Sequence, residues 1–172
     1  MARPHQIFAT ALLALLSPTG CDPDSRDYDP DSGEPIEVSE AQELDMCDNF
    51  GASTYKPVSA GADIDSCGAV DAQPGLKRIA LAEINGGRGG LLRLSLQPEN
   101  ESPAFLMLDT ELPFRVVRED DSEVHFLEEG LSSDLCDEAR GRYLWIVDGS
   151  TNYLEFGPTA VESVDLVLEV VE

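Results

Sequence analysis

Cysteine, histidine and carboxylate are the side chains of this sequence able to do chemistry, and their spacing limits which chemistry that is. The four cysteines are Cys21, Cys47, Cys67 and Cys136, and none belongs to a Cys-x-x-Cys pair. A thioredoxin-like redox site or a zinc ribbon therefore lacks its ligand spacing. Beyond the amino-terminal segment the chain has one histidine, His125, in Glu123-Val124-His125-Phe126-Leu127. Alternation puts Val124 and Phe126 on one face and His125 with Glu123 on the other, so the expected setting of His125 is a wet strand face. The competing reading is a soft-metal site made by His125 and Cys136 with Met107 or Met46. One histidine leaves a nucleophilic triad a single candidate base, and no Gly-x-Ser-x-Gly elbow is present. Hydrolase chemistry of that kind is not expected.

Carboxylates are abundant: Asp63 with Asp65, Asp109 with Glu111, Glu119 with Asp120 and Asp121, and Glu155. Acid–base catalysis needs two of them in one cleft with separated pKa values, whereas abundance alone suits hairpin turns and a soluble surface. Gly86-Gly87-Arg88-Gly89-Gly90 lacks the Lys-Ser/Thr of a phosphate loop and precedes a strand pattern, so it reads as a flexible hairpin tip. Across the 172 residues, 34 Asp and Glu stand against 11 Lys and Arg, a net charge of −23. A phosphate backbone needs clustered cations, so nucleic acid is excluded as an expected partner. No cofactor motif is found.

The segments that must carry these groups fall into three. Residues 1–20 open on Arg3, continue as an uncharged apolar run from Ile7 to Leu16, and end Ser17-Pro18-Thr19-Gly20 before Cys21. The run is too short for a bilayer core of about 30 Å and reads as a signal segment. Thr19-Gly20-Cys21 resembles the lipobox of bacterial lipoproteins, with Pro18 where that motif usually has Leu. The resemblance implies acylation of the Cys21 thiol and cleavage just before it, hence a membrane anchor through lipid on Cys21. Without lipidation the chain is expected to be secreted.

Residues 21–48 are expected to form an acidic, disordered tether. Asp22-Pro23-Asp24-Ser25 recurs as Asp29-Pro30-Asp31-Ser32, and such a stretch has too little apolar surface to offset the entropy of ordering. Asp27, Asp29 and Asp31 alternate like EF-hand ligands, but Ser32 stands where Gly is needed and Val38 where a bidentate Glu is needed. Between Glu34 and Gly75 a capping box at Ser39 to Gln42 supports at most one helical turn.

Residues 49–172 are expected to be the folded domain, with core strands in 76–171. Short apolar runs separated by turn residues predict strands near 76–84, 91–97, 104–109, 114–118, 123–127, 142–148, 152–156 and 163–171. Leu92, Leu94 and Leu96 alternate with Arg93, Ser95 and Gln97, and Val164, Leu166, Leu168 and Val170 do the same near the carboxy terminus. Tyr143 to Val147 is apolar on both faces, which suits a central strand, with Trp145 as core anchor. The expected fold is all-β: an antiparallel β-sandwich of about eight strands, jelly-roll-like or Greek key. Gly141 to Gly149 followed by Asn152 to Phe156 is similar to the closing strands of pre-peptidase C-terminal type β-sandwiches. That similarity bears on fold and not on activity.

With Cys21 lipidated, one disulfide remains possible among Cys47, Cys67 and Cys136. The expected bridge is Cys47 or Cys67 to Cys136, which closes a long loop and ties the irregular segment to the sandwich. The function expected is a lipid-anchored binding or scaffold module of the bacterial cell envelope, without catalysis. Its partner would be a basic protein surface, a divalent cation or an envelope polymer. The alternative is a metal-handling protein or enzyme using His125, Cys136 and nearby carboxylates.

Overall fold

A computed structural model describes residues 36–96, 101–130 and 132–171. The signal segment, Cys21 and the Asp-Pro repeat lie outside the described residues. Two sheets stack face to face, giving the expected all-β sandwich. The larger has the order β1 (Lys56–Ser59), β3 (Lys77–Ala80), β11 (Ser163–Val170), β6 (Ser102–Leu108), β9 (Gly141–Val147), β8 (Glu128–Glu129). The smaller runs β2 (Gly68–Val70), β5 (Gly87–Leu94), β10 (Asn152–Thr159), β7 (Phe114–Arg118), with β4 (Ala82–Ile84) also on β5. The body of each sheet is antiparallel, as expected, but the edge strands β1 and β2 pair in parallel with β3 and β5.

The period-two pattern dictates what faces the interior. Leu92 and Leu94 of β5, Leu106 and Leu108 of β6, Leu154 of β10, and Val164, Leu166 and Leu168 of β11 are buried in one cluster drawn from both sheets. Trp145 lies there fully buried, edge-on to Phe126 with ring centroids 6.1 Å apart. Burying each of these side chains contributes about 1.5–3 kcal/mol relative to exposure.

The opposite face of the larger sheet is also apolar. Phe105, Met107, Leu144 and Val167 pack in a second cluster with Met46 from the helix α1 (Glu40–Phe50). This second cover explains why Tyr143 to Val147 is apolar on both sides. Ser39 supplies the N-cap half of the expected capping box, its hydroxyl accepting the Gln42 N–H at 3.2 Å, while the Gln42 amide donates to the Val170 carbonyl instead of closing the box. Glu40 and Glu43 lie in the first turn, where the helix dipole favours acids. The helix runs eleven residues rather than one turn. Residues 36–48, expected to belong to a disordered tether, instead pack on the sandwich through Ile36, Val38 and α1, whereas residues 21–35 lie outside the described residues.

Other expected boundaries shift for identifiable reasons. The run 76–84 breaks at Leu81, where the chain leaves the larger sheet as β3 and enters the smaller as β4. Leu81 is buried at that corner, and its N–H donates to Glu162 O at 2.9 Å. The glycine-rich run is not a hairpin tip throughout. Asn85 and Gly86 form the turn, and β5 begins at Gly87. A Cβ at Gly89 would collide with the Phe156 carbonyl, so glycine lets β5 and β10 approach there. Residues 123–127 alternate as expected, with Val124 buried and His125 exposed, yet form no strand. Glu123 bridges Val117 and the Leu127 N–H donates to Leu144 O, so the segment crosses from one sheet's edge to the other's.

Candidate functional site

The outer face of the smaller sheet is polar, and a groove lies on it. Register sets Arg93, Tyr153 and Val117 in one row across β5, β10 and β7, and Leu91, Glu155 and Arg115 in the next. Their neighbours along each strand, Leu92, Leu154 and Val116, point into the core. Residues 62–67 leave β1, cross between the sheets and fold over this outer face. Reciprocal backbone hydrogen bonds between Gly61 and Leu91, at 3.0 and 2.8 Å, hold the start of the crossing. Ala62 and Ile64 from the crossing and Ile84 and Asn85 from the β4–β5 turn wall a groove of about 420 Å³. Val117, Tyr153 and Leu91 form its floor.

Tyr153 is 4 % exposed although it points away from the core. Burial first, then the neighbouring Glu119 carboxylate, pushes its hydroxyl pKa up, so it is a neutral phenol at neutral pH. Beside it the Arg115 guanidinium meets the Glu155 carboxylate at 2.7 Å. Ile64 stays largely exposed at the mouth. An apolar floor with a few fixed polar groups at the rim is the usual composition of a binding cleft.

Cys47 and Cys136 form a disulfide, with Cα atoms 5.5 Å apart, between α1 and the segment before β9. Of the two expected pairings to Cys136, the structure takes the one from Cys47. Cys67 is free and half-buried, its thiol donating to the Ile64 carbonyl at 3.1 Å. Glu138 Oε2 lies 3.8 Å from both bridged sulfurs, the one convergence of three His, Cys, Asp or Glu donors among the described residues. Bonded sulfurs offer no thiolate to a metal. His125 is exposed and belongs to no such group, while Met46 and Met107 are buried under the helix. The residues of the soft-metal reading are thus not assembled around a common centre.

The carboxylates singled out in the sequence mostly organise turns. Asp63 Oδ1 accepts from the Ser66 N–H at 2.9 Å and hydroxyl at 2.7 Å, and the hydroxyl bond chiefly lowers its pKa. Asp120 does the same with Ser122. Asp109 is held at the end of β6, where its side chain accepts the Asp165 N–H at 3.0 Å and burial raises its pKa.

Sequence reasoning did not find the polar group that docks the helix. Glu43, buried in α1, accepts from the Ser133 hydroxyl and lies 3.3 Å from Arg142 Nη2 on β9. Ser133 Oγ also accepts the Cys136 N–H at 2.9 Å, which fixes the turn that carries the disulfide. Lys77 is another buried ion that composition hides. Its amine donates to the Gln73 and Gly75 carbonyls, and burial lowers its pKa. Tyr153 had a partial signal, since alternation with Leu154 and Phe156 places it outward. Its burial depends on the crossing segment, which no local pattern announces.

No known protein family matches this chain, and no curated protein matches it in sequence. Among the described residues no helix is long and apolar enough to cross a membrane.

Proposed function

We propose that the protein is a lipid-anchored module of the bacterial cell envelope that binds a partner rather than catalysing a reaction. In this reading Cys21 carries the lipid, and the outer face of the smaller sheet receives the partner. The observation that carries the binding half is the groove floored by Tyr153 and Val117 on an otherwise solvated face, with Ile64 exposed at its mouth. The lipobox-like Thr19-Gly20-Cys21 supports the anchor, and the Cys47–Cys136 disulfide suits an oxidising compartment outside the cytoplasm. A net charge of −23 favours a partner with a basic surface, which it would draw by long-range attraction weakened by salt.

Two measurements test the reading. Cells fed an alkyne fatty acid should label the wild-type protein and leave Cys21→Ser unlabelled and in the soluble fraction; equal labelling of the two refutes the anchor. A photo-crosslinking residue at Ile64 should trap a discrete envelope partner that the same residue at exposed Leu127 does not. Equal trapping from both positions, or none from Ile64, removes the groove from the binding role.

A further inference from the structure

The sandwich is open along one side, where β7 ends the smaller sheet and β8 ends the larger. Residues 123–127, with Phe126, close only part of this opening. What remains is a pocket of about 330 Å³ lined by Phe114, Tyr143, Glu123, Glu129, Arg115 and Glu155, among others. Its base is aromatic. Phe114 and Tyr143 lie 4.5 Å apart between ring centroids, backed by Phe126 at 5.2 Å from Tyr143 and Phe156 at 5.3 Å from Phe114.

Tyr143 is 5 % exposed, and its hydroxyl makes no hydrogen bond among the described residues. The ring is buried while the unpartnered hydroxyl opens into the cavity, where it leaves a donor and an acceptor free for a ligand. Burial first, then the Glu129 and Glu111 carboxylates, raises its pKa. Glu129 faces Tyr143 across the β8–β9 ladder, which puts both side chains on the same face. Arg115 is the one basic group in the lining, and Glu155 already engages it at 2.7 Å. Glu123 and Glu129 are left without a cationic partner among the described residues.

Negative walls repel an anion. A small hydrated metal ion gains little from ring faces, because it needs oxygen ligands to replace its water. An ammonium group on an alkyl chain fits both features: its charge is attracted by carboxylates and ring quadrupoles, and its methylenes are weakly hydrated. We propose that this pocket binds an alkylammonium group, with the nitrogen between Glu129, Glu123 and the Tyr143 hydroxyl and the alkyl carbons on Phe114 and Tyr143. A free amine and the side chain of a peptide lysine share this chemistry. The assignment is independent of the lipid anchor and uses none of the groove's floor residues, the Arg115–Glu155 pair alone being common to the two openings.

The test is a titration of the full-length protein with n-butylammonium chloride at constant ionic strength, followed by NMR shifts. Saturable shifts are expected at Phe114, Glu129 and Tyr143, with affinity reduced about fivefold in Glu129→Gln and about threefold in Tyr143→Phe. Glu129 is exposed and Tyr143→Phe keeps the ring, so both variants should remain folded, as their unchanged melting temperatures would verify. Tighter binding of Nα-acetyl-lysinamide than of butylammonium would identify a peptide lysine as the source, and weaker binding a free amine; either supports the site. The proposal is overturned by shifts that do not saturate, by shifts spread over the acidic surface, by displacement of the amine by magnesium at matched ionic strength, or by wild-type affinity in both variants.

Discussion

The two sheets of the sandwich differ in what covers their outer faces. On the larger sheet, Phe105, Met107, Leu144 and Val167 lie beneath α1, which is fastened by the Cys47–Cys136 disulfide, Met46, and Glu43 with Arg142 and Ser133. On the smaller sheet the equivalent positions are Arg93, Arg115 and Glu155, and only a short crossing segment partly covers Tyr153 and Val117. One face is a second core, and the other is a surface with a groove. A covered sheet face has little freedom to admit a ligand, whereas the outer face of the smaller sheet carries a groove and its edge facing β8 a pocket.

The largest effect that would break this comparison is a cavity in the covered face. Phe105→Ala should cost about 3–5 kcal/mol in urea unfolding, whereas Arg93→Ala on the open face should change stability by less than about 0.5 kcal/mol. Similar losses from both would mean that the helix is not a packing layer.

Removing the fastening comes next. Cys47→Ser with Cys136→Ser opens a link spanning 89 residues and should lower stability by about 2–4 kcal/mol. Hydrogen exchange should accelerate in α1 and leave β5, β7 and β10 nearly as protected as before. Uniform acceleration would contradict a local role for the bridge.

The smallest effect is a pair of opposite pH responses. Burial raises the pKa of Asp109 at the end of β6, so its contribution to stability is complete below the ordinary value of 3.8 and is lost as pH rises through the raised value. Asp109→Asn should therefore stabilise the protein at neutral pH. Asp148 lies between β9 and β10, and its pKa is lowered chiefly by the Ser150 hydroxyl and further by Arg118 at 3.2 Å. Its contribution is present above 3.8 and is lost as pH falls through the lowered value, so Asp148→Asn should destabilise at neutral pH and have little effect in strong acid. Thermal melts of both variants across this range check the two signs, and a matching sign would refute the assignment.

Strands were legible where alternation and burial agree. The runs at 104–109, 114–118, 142–148, 152–156 and 163–171 emerge within a few residues of their expected limits, because each is a short alternating or continuously apolar run between clear breakers. The double-sided apolarity of Tyr143 to Val147 correctly implied a second cover, but not that the cover is a helix. Helix α1 buries only Glu43 and Met46 fully, so its sequence has a weak amphipathic signal, and its place is set by the disulfide and a buried acid. The edge strands β1 and β2 were invisible for a related reason: they are three or four residues long and held by parallel pairing with distant strands. Of the two openings, outward-pointing Tyr153 could be read from alternation, whereas the pocket at Tyr143 joins residues from β7, β9, β8 and the segment between the sheets.

The order of side chains determined this protein's net charge, its β character, which face of each long strand is apolar, and the short set of disulfides open to it. Each of these depends on counts of residue types or on a period of two along the chain, neither of which requires knowing which distant segments meet. Tertiary structure alone decided that Cys47 reaches Cys136, that residues 36–50 belong to the fold, and that aromatic rings and carboxylates from separate strands enclose a cavity. Those outcomes depend on which distant segments become neighbours, and adjacency in space is fixed by the packing of both sheets together rather than by any window of sequence.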